Sequence, residues 1–274
     1  MGVAAVILTK DEEKNIRMCL DHLTWADEVI IVDSGSQDTT LQIAAEMGAR
    51  VLVHEVKPFL ISEQRNWALD NADARSEWIL FIDADEVVTE ELRDEIFAAT
   101  ASTSENIAGY QLCFKFMFMG KWLKRTQGFP TWHDRLVRRG RSRFKGGVWE
   151  SFDTTGEIKQ LSEPYLHYGF NNGMDAWIDR HQRYAHWKAQ EIVTGGSEIQ
   201  GMNNSRRWAR RLEATAARFL SLSPAFRFLY CYFGRLGFLD GRAGLVYSRM
   251  MALYQFMIYL HVLEIRHRNK SLPL

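Results

Sequence analysis

Three cysteines in 274 residues, Cys19, Cys113 and Cys231, leave no even set for a disulfide framework, and their wide spacing contains no Cys-x-x-Cys pair of the kind that holds zinc. A reducing compartment is the expectation. Long apolar runs are missing as well. The longest uncharged stretch, Met250 to Leu263, has 14 residues between Arg249 and Glu264. A bilayer-spanning helix needs roughly 20. At the N-terminus, Val3 to Leu8 is too short for a signal peptide and has no basic segment before it, while Val6 breaks the Met-Gly-x-x-x-Ser/Thr acylation pattern. Cytoplasmic residence is therefore expected. The sequence has no internal repeat, no low-complexity tract and no nucleic-acid motif, so no nucleic-acid partner is expected, and the Asn203-Asn204-Ser205 sequon reads as accidental.

Net charge is absent too, since 34 Lys and Arg balance 34 Asp and Glu. The zero conceals a split. Residues 1–110 hold 8 basic against 22 acidic side chains, which leaves 26 against 12 for residues 111–274. An acidic front part suits metal-dependent nucleotide binding, and a basic rear part suits anionic lipid or a phosphorylated acceptor. Two solvated faces of unequal sign remain the plainer reading.

With 46% apolar residues the chain can bury a sizeable core, and its front part alternates strand and helix patterns. Buried runs at Val3–Leu8, Glu28–Asp33, Val51–Val53 and Trp78–Ile82 are separated by helical spacings: Ile16, Leu20 and Leu23, then Leu41, Ile43, Ala44 and Met47 after an Asp38 cap, then Ile61 to Ala72. Three crossovers imply a mostly parallel, doubly wound, Rossmann-like sheet. Ligands of such sheets sit beyond the carboxyl ends of the strands. Those ends carry Thr9, Asp33 and the pair Asp83 and Asp85. In extended chain, residues two apart face the same side, so both carboxylates can meet one divalent ion, or an ion and a ribose.

Thr9 and Asp33, each taken alone, read equally well as helix caps. The turn Asp33-Ser34-Gly35-Ser36 offers backbone N–H groups to a ligand. Arg65 is placed either to fork a diphosphate or to pair at the surface with Asp70 or Glu63. Ile61, Trp67, Ala68 and Leu69 are the expected apolar face of its helix.

Four segments, Leu8-Thr9-Lys10-Asp11-Glu12-Glu13-Lys14-Asn15-Ile16, Ala26 through Thr40, Gln64-Arg65-Asn66 and Phe81-Ile82-Asp83-Ala84-Asp85-Glu86, resemble in order and spacing the family 2 glycosyltransferases, inverting enzymes of the GT-A fold. Within that family the chain looks most like the group that adds a sugar, often glucose, to heptose of the lipopolysaccharide inner core. The resemblance implies a metal-dependent hexosyltransferase taking a nucleotide-sugar donor, a UDP-sugar first, with Mg2+ or Mn2+ as cofactor. It also implies that Thr9 and Asp33 contact base or ribose, that Glu12 belongs to the donor site, that Arg65 lies by the nucleotide, that Asp83 touches ribose and that Asp85 binds the ion.

Displacement at a sugar also needs a base for the acceptor hydroxyl. Gly146 to Ser151 matches a Val-His-Glu segment of similar enzymes with tryptophan at the histidine place, which makes Glu150 the candidate base; a strand-end glutamate paired with Arg143 or Lys145 is the other reading. Asp134, in a segment resembling the approach to an Arg-Leu-Phe-Arg strand, is expected to shape the acceptor pocket and is the second choice for the base. His167 reads as a core histidine, with a place at the metal rim as the alternative.

Past residue 173 the pattern is helical, over Met174–Thr194, Asn204–Leu222 and, after Pro224, Phe226 to about Arg266. Aromatic and apolar residues from Phe219 to Leu239 alternate with arginines, and Arg206-Arg207-Trp208-Ala209-Arg210-Arg211 adds a basic cluster. That mixture is what an interfacial helix presents to headgroups, although packing on the front part or a dimer surface also accounts for it. The expected organisation is a catalytic domain over 1–172, with 1–110 for the donor and 111–172 for the acceptor, and a membrane-associating helical extension over 173–274. The expected acceptor is a saccharide linked to lipid, reached from an anionic membrane surface on its inner, cytoplasmic side. The rivals are a non-catalytic membrane scaffold with a vestigial nucleotide site, and a sugar-nucleotide pyrophosphorylase. The latter needs a glycine-rich loop where this chain has Thr9-Lys10-Asp11-Glu12.

Overall fold

The computed structural model describes residues 2–55, 60–101, 104–146, 151–194 and 221–269. They fall into two compact units, Met1–Phe118 with Phe129–Asn172, and Met119–Gly128 with Gly173–Leu274. Residues 119–128, assigned by sequence to the acceptor part, group with the helices.

The first unit runs β1 (Val3–Thr9), α1 (Ile16–Asp21), β2 (Glu28–Asp33), α2 (Thr40–Glu46), β3 (Arg50–Val53), α3 (Ile61–Asn71), β4 (Trp78–Asp83), β5 (Glu86–Val87), α4 (Glu90–Ala101) and β6 (Ile107–Phe118). After β7 (Lys121–Trp122), which belongs to the other unit, come β8 (Trp132–Arg138), β9 (Arg143–Lys145), β10 (Ser151–Asp153), β11 (Glu157–Gln160) and β12 (Tyr165–His167). The sheet order is β3-β2-β1-β4-β8-β6-β12-β5, with β11 beside β6 and a separate β9–β10 pair. Strands β3, β2, β1 and β4 are mutually parallel, and β8 meets β4 antiparallel. This is the mostly parallel α/β sheet that the sequence pattern implies. Val3 through Ile7 are all buried, so both faces of β1 are covered, as a parallel sheet requires. Of these, Val3, Val6 and Ile7 each contribute about 1.5–3 kcal/mol on burial.

Two local expectations change. Asp38 stands one residue outside the N-cap of α2, where its Oδ1 accepts from the Thr40 amide (2.9 Å) and hydroxyl (2.5 Å). In α3 the expected Ala68, Trp67 and Leu69 do pack on the core, but Ser62, Gln64 and Arg65 are buried as well, so the inward face is mixed. The hydrogen-bonding needs of the strand ends above it decide this.

The second unit contains α5 (Gly173–Thr194), α6 (Ser223–Leu229), a π turn (Tyr230–Gly234), a 3-10 turn (Gly237–Asp240) and α7 (Gly241–Asn269). The expected helix over 204–222 and the basic cluster 206–211 lie outside the described residues, except for the last two positions. The expected continuous run from Phe226 is broken. The Arg235 amide donates to the Tyr230 carbonyl at 2.8 Å, five residues back, and Leu236 takes a left-handed conformation at φ 59°. Ala185 and Ala189 of α5 meet Ile258 and Val262 of α7 in a small core. The segment Gly237-Phe238-Leu239-Asp240-Gly241 has a structural task here. Asp240 Oδ2 accepts from the amides of Arg125 (3.0 Å) and Thr126 (2.7 Å) and from the Thr126 hydroxyl (2.7 Å). Gly244 packs so closely that a Cβ there would strike the Gly237 carbonyl and lie 2.9 Å from Thr126 Oγ1.

Replacing Gly244 by Ala is therefore expected to destabilise the helical unit by about 1–3 kcal/mol, seen as a lower urea midpoint; an unchanged midpoint would contradict the close approach. A pH effect follows from His181, which donates from Nδ1 to the Trp177 carbonyl (2.9 Å) and stacks on the Trp177 ring. Burial lowers its pKa to about 4 from 6.5. Because the folded value is the depressed one, its contribution is present above pH 6.5 and is lost as pH falls toward 4. Denaturation at neutral and mildly acidic pH should show this loss, with a flatter profile in His181→Gln.

Candidate functional site

β1 and β2 end in register at Thr9 and Asp33, and β4 brings Asp83 opposite Leu8 on the other side of β1. Thr9 donates its hydroxyl to Asp33 Oδ2 (2.8 Å). Asp33, fully buried, also accepts from the Gly35 amide (2.8 Å), the Ser36 amide (2.7 Å) and the Ser36 hydroxyl (2.5 Å). Gly35 sits at φ +85°, which only glycine adopts without strain. The N–H groups of this turn thus point inward onto Asp33, not outward as the sequence suggested. Lys10 adds bonds to the Ser34 and Gly35 carbonyls, so the loops after β1 and β2 form one laced rim.

The triplet Gln64-Arg65-Asn66 fastens α3 to three strands. Gln64 Nε2 reaches Ser34 Oγ (2.6 Å), Arg65 reaches Asp83 (3.4 Å), and Asn66 exchanges bonds with both backbone groups of Phe144 in β9 (2.8 and 2.9 Å). Arg65 is 3% exposed, with its guanidinium over the rings of Phe81 and Phe144. The surface pairing that sequence allowed is corrected: Asp70 pairs with Arg143 instead, at 2.8 Å.

Asp83 is gripped by a residue that sequence reasoning missed. Arg135 forks its carboxylate, Nη1 to Oδ1 at 3.1 Å and Nη2 to Oδ2 at 2.7 Å, while Nη2 also meets Glu86 Oε1 at 2.6 Å. Opposite Tyr110 and Gln111 the β8 register passes from Leu136 to Asp134, which leaves Arg135 as the extra residue of a bulge. The signal available in sequence was a charged pair, Asp134-Arg135, opening a buried strand. Glu86 is the second omission; its Oε2 accepts from the Asp83 amide (2.8 Å). Burial works against charge on Asp83, but Arg135 first, then Arg65 and His167, outweigh it and hold the carboxyl well below the usual range. Burial pushes Glu86 the other way, upward. The Asp83 side chain keeps 39% of its surface open, so an edge remains for a ligand.

β12 pairs antiparallel with β5, setting His167 opposite Glu86, and the Tyr168 amide bonds the Asp85 carbonyl at 2.8 Å. His167 Nε2 consequently lies 3.4 Å from Asp85 Oδ2, which overturns the core reading of this histidine. Burial lowers its pKa, yet Asp85, Glu86 and Asp83 together raise it above the ordinary value. Two ligands of one six-coordinate divalent ion stand about 3 Å apart, so Asp85 and His167 fit as neighbours on such an ion. Among the described residues no group of three or more His, Cys, Asp or Glu is arranged to hold a metal without such help.

Glu12 is half-buried, and its Oε2 accepts from Asn15 (2.6 Å) and Asn172 (3.0 Å). Cys19 reports where these acids converge: after burial, Glu86, Asp85, Asp83 and Glu12 push its thiol upward. Asp134 belongs to a different place. It accepts from Gln111 Nε2 (2.7 Å) and the Phe152 amide, and lines an open cleft of about 560 Å³ with Gln111, Ser151, Phe152, Lys159 and Gln160. Glu150 lies outside the described residues.

Comparison with known proteins gives relatives along the whole chain. Uncharacterized glycosyltransferases of Rickettsia prowazekii and Rickettsia felis are both 26% identical, over 93% and 98% of this chain and 84% and 92% of their own. The lipopolysaccharide core biosynthesis glycosyltransferase LpsC of Rhizobium meliloti is 24% identical over 100% of this chain and 96% of its own. Among solved structures, residues 1–349 of S. aureus TarS overlap 97% of this chain and 92% of theirs at TM-score 0.43 and 15% identity. The Mycobacterium tuberculosis glucosyl-3-phosphoglycerate synthase with Mn2+, UDP and phosphoglyceric acid covers 61% of this chain and 71% of its own at 0.42 and 19%. The model of glycosyl transferase family 2 matches residues 4–158, which take in every rim residue from Thr9 to Asp134, and the chain belongs to that family.

Proposed function

We propose that this glycosyltransferase works with inversion, moving a sugar, glucose first, from a UDP-sugar to a saccharide carried by lipid, with the lipopolysaccharide inner core as the nearest case. The carrying observation is the meeting of Asp83, Asp85 and His167 beyond the carboxyl ends of the parallel strands, where open α/β sheets take nucleotides. The relative named for lipopolysaccharide core biosynthesis supports the acceptor class. In this reading residues 1–110 take the donor and 111–172 the acceptor, while 173–274 hold the enzyme at the inner face of the cytoplasmic membrane.

Asp83 offers its open edge to a ribose hydroxyl, with both oxygens kept ionised and aimed by Arg135 and Arg65. Thr9 and Asp33 act from behind the Ser34–Ser36 turn, fixing the wall against which base and ribose lie. Glu12 keeps the first loop in place through Asn15 and Asn172. Asp85 and His167 would hold Mg2+ or Mn2+, whose chemistry here is neutralisation of the diphosphate as it leaves. Glu150 takes the proton of the acceptor hydroxyl. The adjacent Ser151 lines the same polar cleft as Asp134, Gln111 and Gln160, groups that suit sugar hydroxyls. Lys145 and Arg143, the other candidate partners of Glu150, pair with Asp153 (3.0 Å) and Asp70 (2.8 Å).

Glu150→Gln should lower transfer by about 10²-fold or more with UDP binding retained; transfer at the parental rate would remove Glu150 from this role. Calorimetry on Asp85→Asn and His167→Ala should show Mn2+-dependent UDP affinity weakened by about tenfold or more. Equal affinity with and without Mn2+, in parent and variants alike, would refute the assignment of these two residues. A panel of UDP- and GDP-sugars then identifies the donor.

A further inference from the structure

The outward face of α6 reverses the usual pattern. Leu222, Phe226, Leu229 and Phe233 recur at helical spacing through α6 and the π turn, and Leu236, Phe238 and Leu239 follow in the next turn; each is between 42% and 60% exposed. A helix of a soluble unit turns such a stripe inward. Here α6 has no buried residue, and its neighbour Cys231, 1% exposed, marks the opposite side as the packed one. A contiguous exposed apolar patch of this kind marks an interaction surface.

The charges around the patch indicate what covers it. Residues 221–249 contain four arginines, Arg227, Arg235, Arg242 and Arg249, and one acid, Asp240. Asp240 is engaged by the Arg125 and Thr126 amides, so it does not offset them outwardly. Arg235 is anchored at the border of the patch, over the Tyr230 ring at 5.1 Å and donating to the Gln127 carbonyl at 2.8 Å. A second copy laid on this face by a two-fold axis would bring arginine against arginine. Anionic headgroups over an apolar layer satisfy both features at once. No described helix is long and apolar enough to cross a bilayer, so the patch fits insertion into one leaflet.

We infer that Leu222–Leu239 is the membrane-docking element of this chain, with its phenylalanine and leucine side chains entering the acyl boundary of an anionic leaflet and Arg227, Arg235 and Arg242 lying at the phosphates. This deepens the reading of an enzyme acting on a lipid-borne acceptor and rests on it for its purpose, though not for its test. The π turn and the left-handed Leu236 join the stripe to the following turn, whose Phe238 and Leu239 are exposed as well.

The test uses the full chain and co-sedimentation with phosphatidylglycerol–phosphatidylcholine vesicles against phosphatidylcholine alone. Binding to the anionic vesicles, weakened by salt, is expected, and the combined Phe226→Ser, Phe233→Ser and Leu239→Ser variant should bind about tenfold or more weakly. Its UDP-sugar hydrolysis should match the parent, which separates failure of docking from failure of the donor reading. Should that variant not fold, Phe233→Trp provides the second measurement: its added fluorescence should be quenched by brominated lipid. Parental binding by the triple variant, or no added quenching in Phe233→Trp, overturns the inference. So does a parent that ignores vesicles but forms a dimer which the triple variant dissociates.

Discussion

The first unit depends on the fork that Arg135 makes with Asp83 and Glu86. These three groups join the parallel half of the sheet, ending at β4, to the antiparallel half that begins with β8, and β5 adds Glu86 from the far edge. Burying a guanidinium costs several kcal/mol of hydration, and the cost is offset only where partners are placed closely. Two carboxylates within 2.7 Å of one nitrogen meet that condition. The bulge at Arg135 is what allows it, because regular pleating would alternate the side chains without the extra residue.

The fork stands in an acidic neighbourhood. Four acids, Glu12, Asp83, Asp85 and Glu86, converge near Cys19, while Arg65 and Arg135 are the buried guanidinium groups among them. Asp85 faces His167, whose pKa it raises. On the proposed reading a divalent cation would sit at Asp85 and a ribose hydroxyl at Asp83, the division of labour that a nucleoside diphosphate asks of its site.

The parallel strands and the strand-end positions of Thr9, Asp33, Asp83 and Asp85 were legible because a continuous apolar run ending in a polar residue marks a strand covered on both faces that emerges at a polar edge. Arg135, Glu86 and His167 were harder to see. Their roles depend on β8 and β12 returning to β4 and β5 from about 50 and 80 residues away in sequence, and local periodicity carries no information about such pairings. Asp33 was legible as a rim residue, but its complete enclosure by the Gly35–Ser36 turn was not.

Among the helices, α3 and α6 fail the hydrophobic pattern in opposite directions. α3 turns Gln64 and Arg65 inward, where they brace Ser34 and Asp83. α6 turns Phe226 and Leu229 outward, where nothing described in its own unit covers them. The exposed apolar side chains of α6 cost burial free energy, whereas the inward polar groups of α3 are offset by their partners. Such costs persist where a ligand or surface outside the chain completes the arrangement. Under the proposed function, α3 braces the strand ends that face the donor and α6 faces the lipid layer.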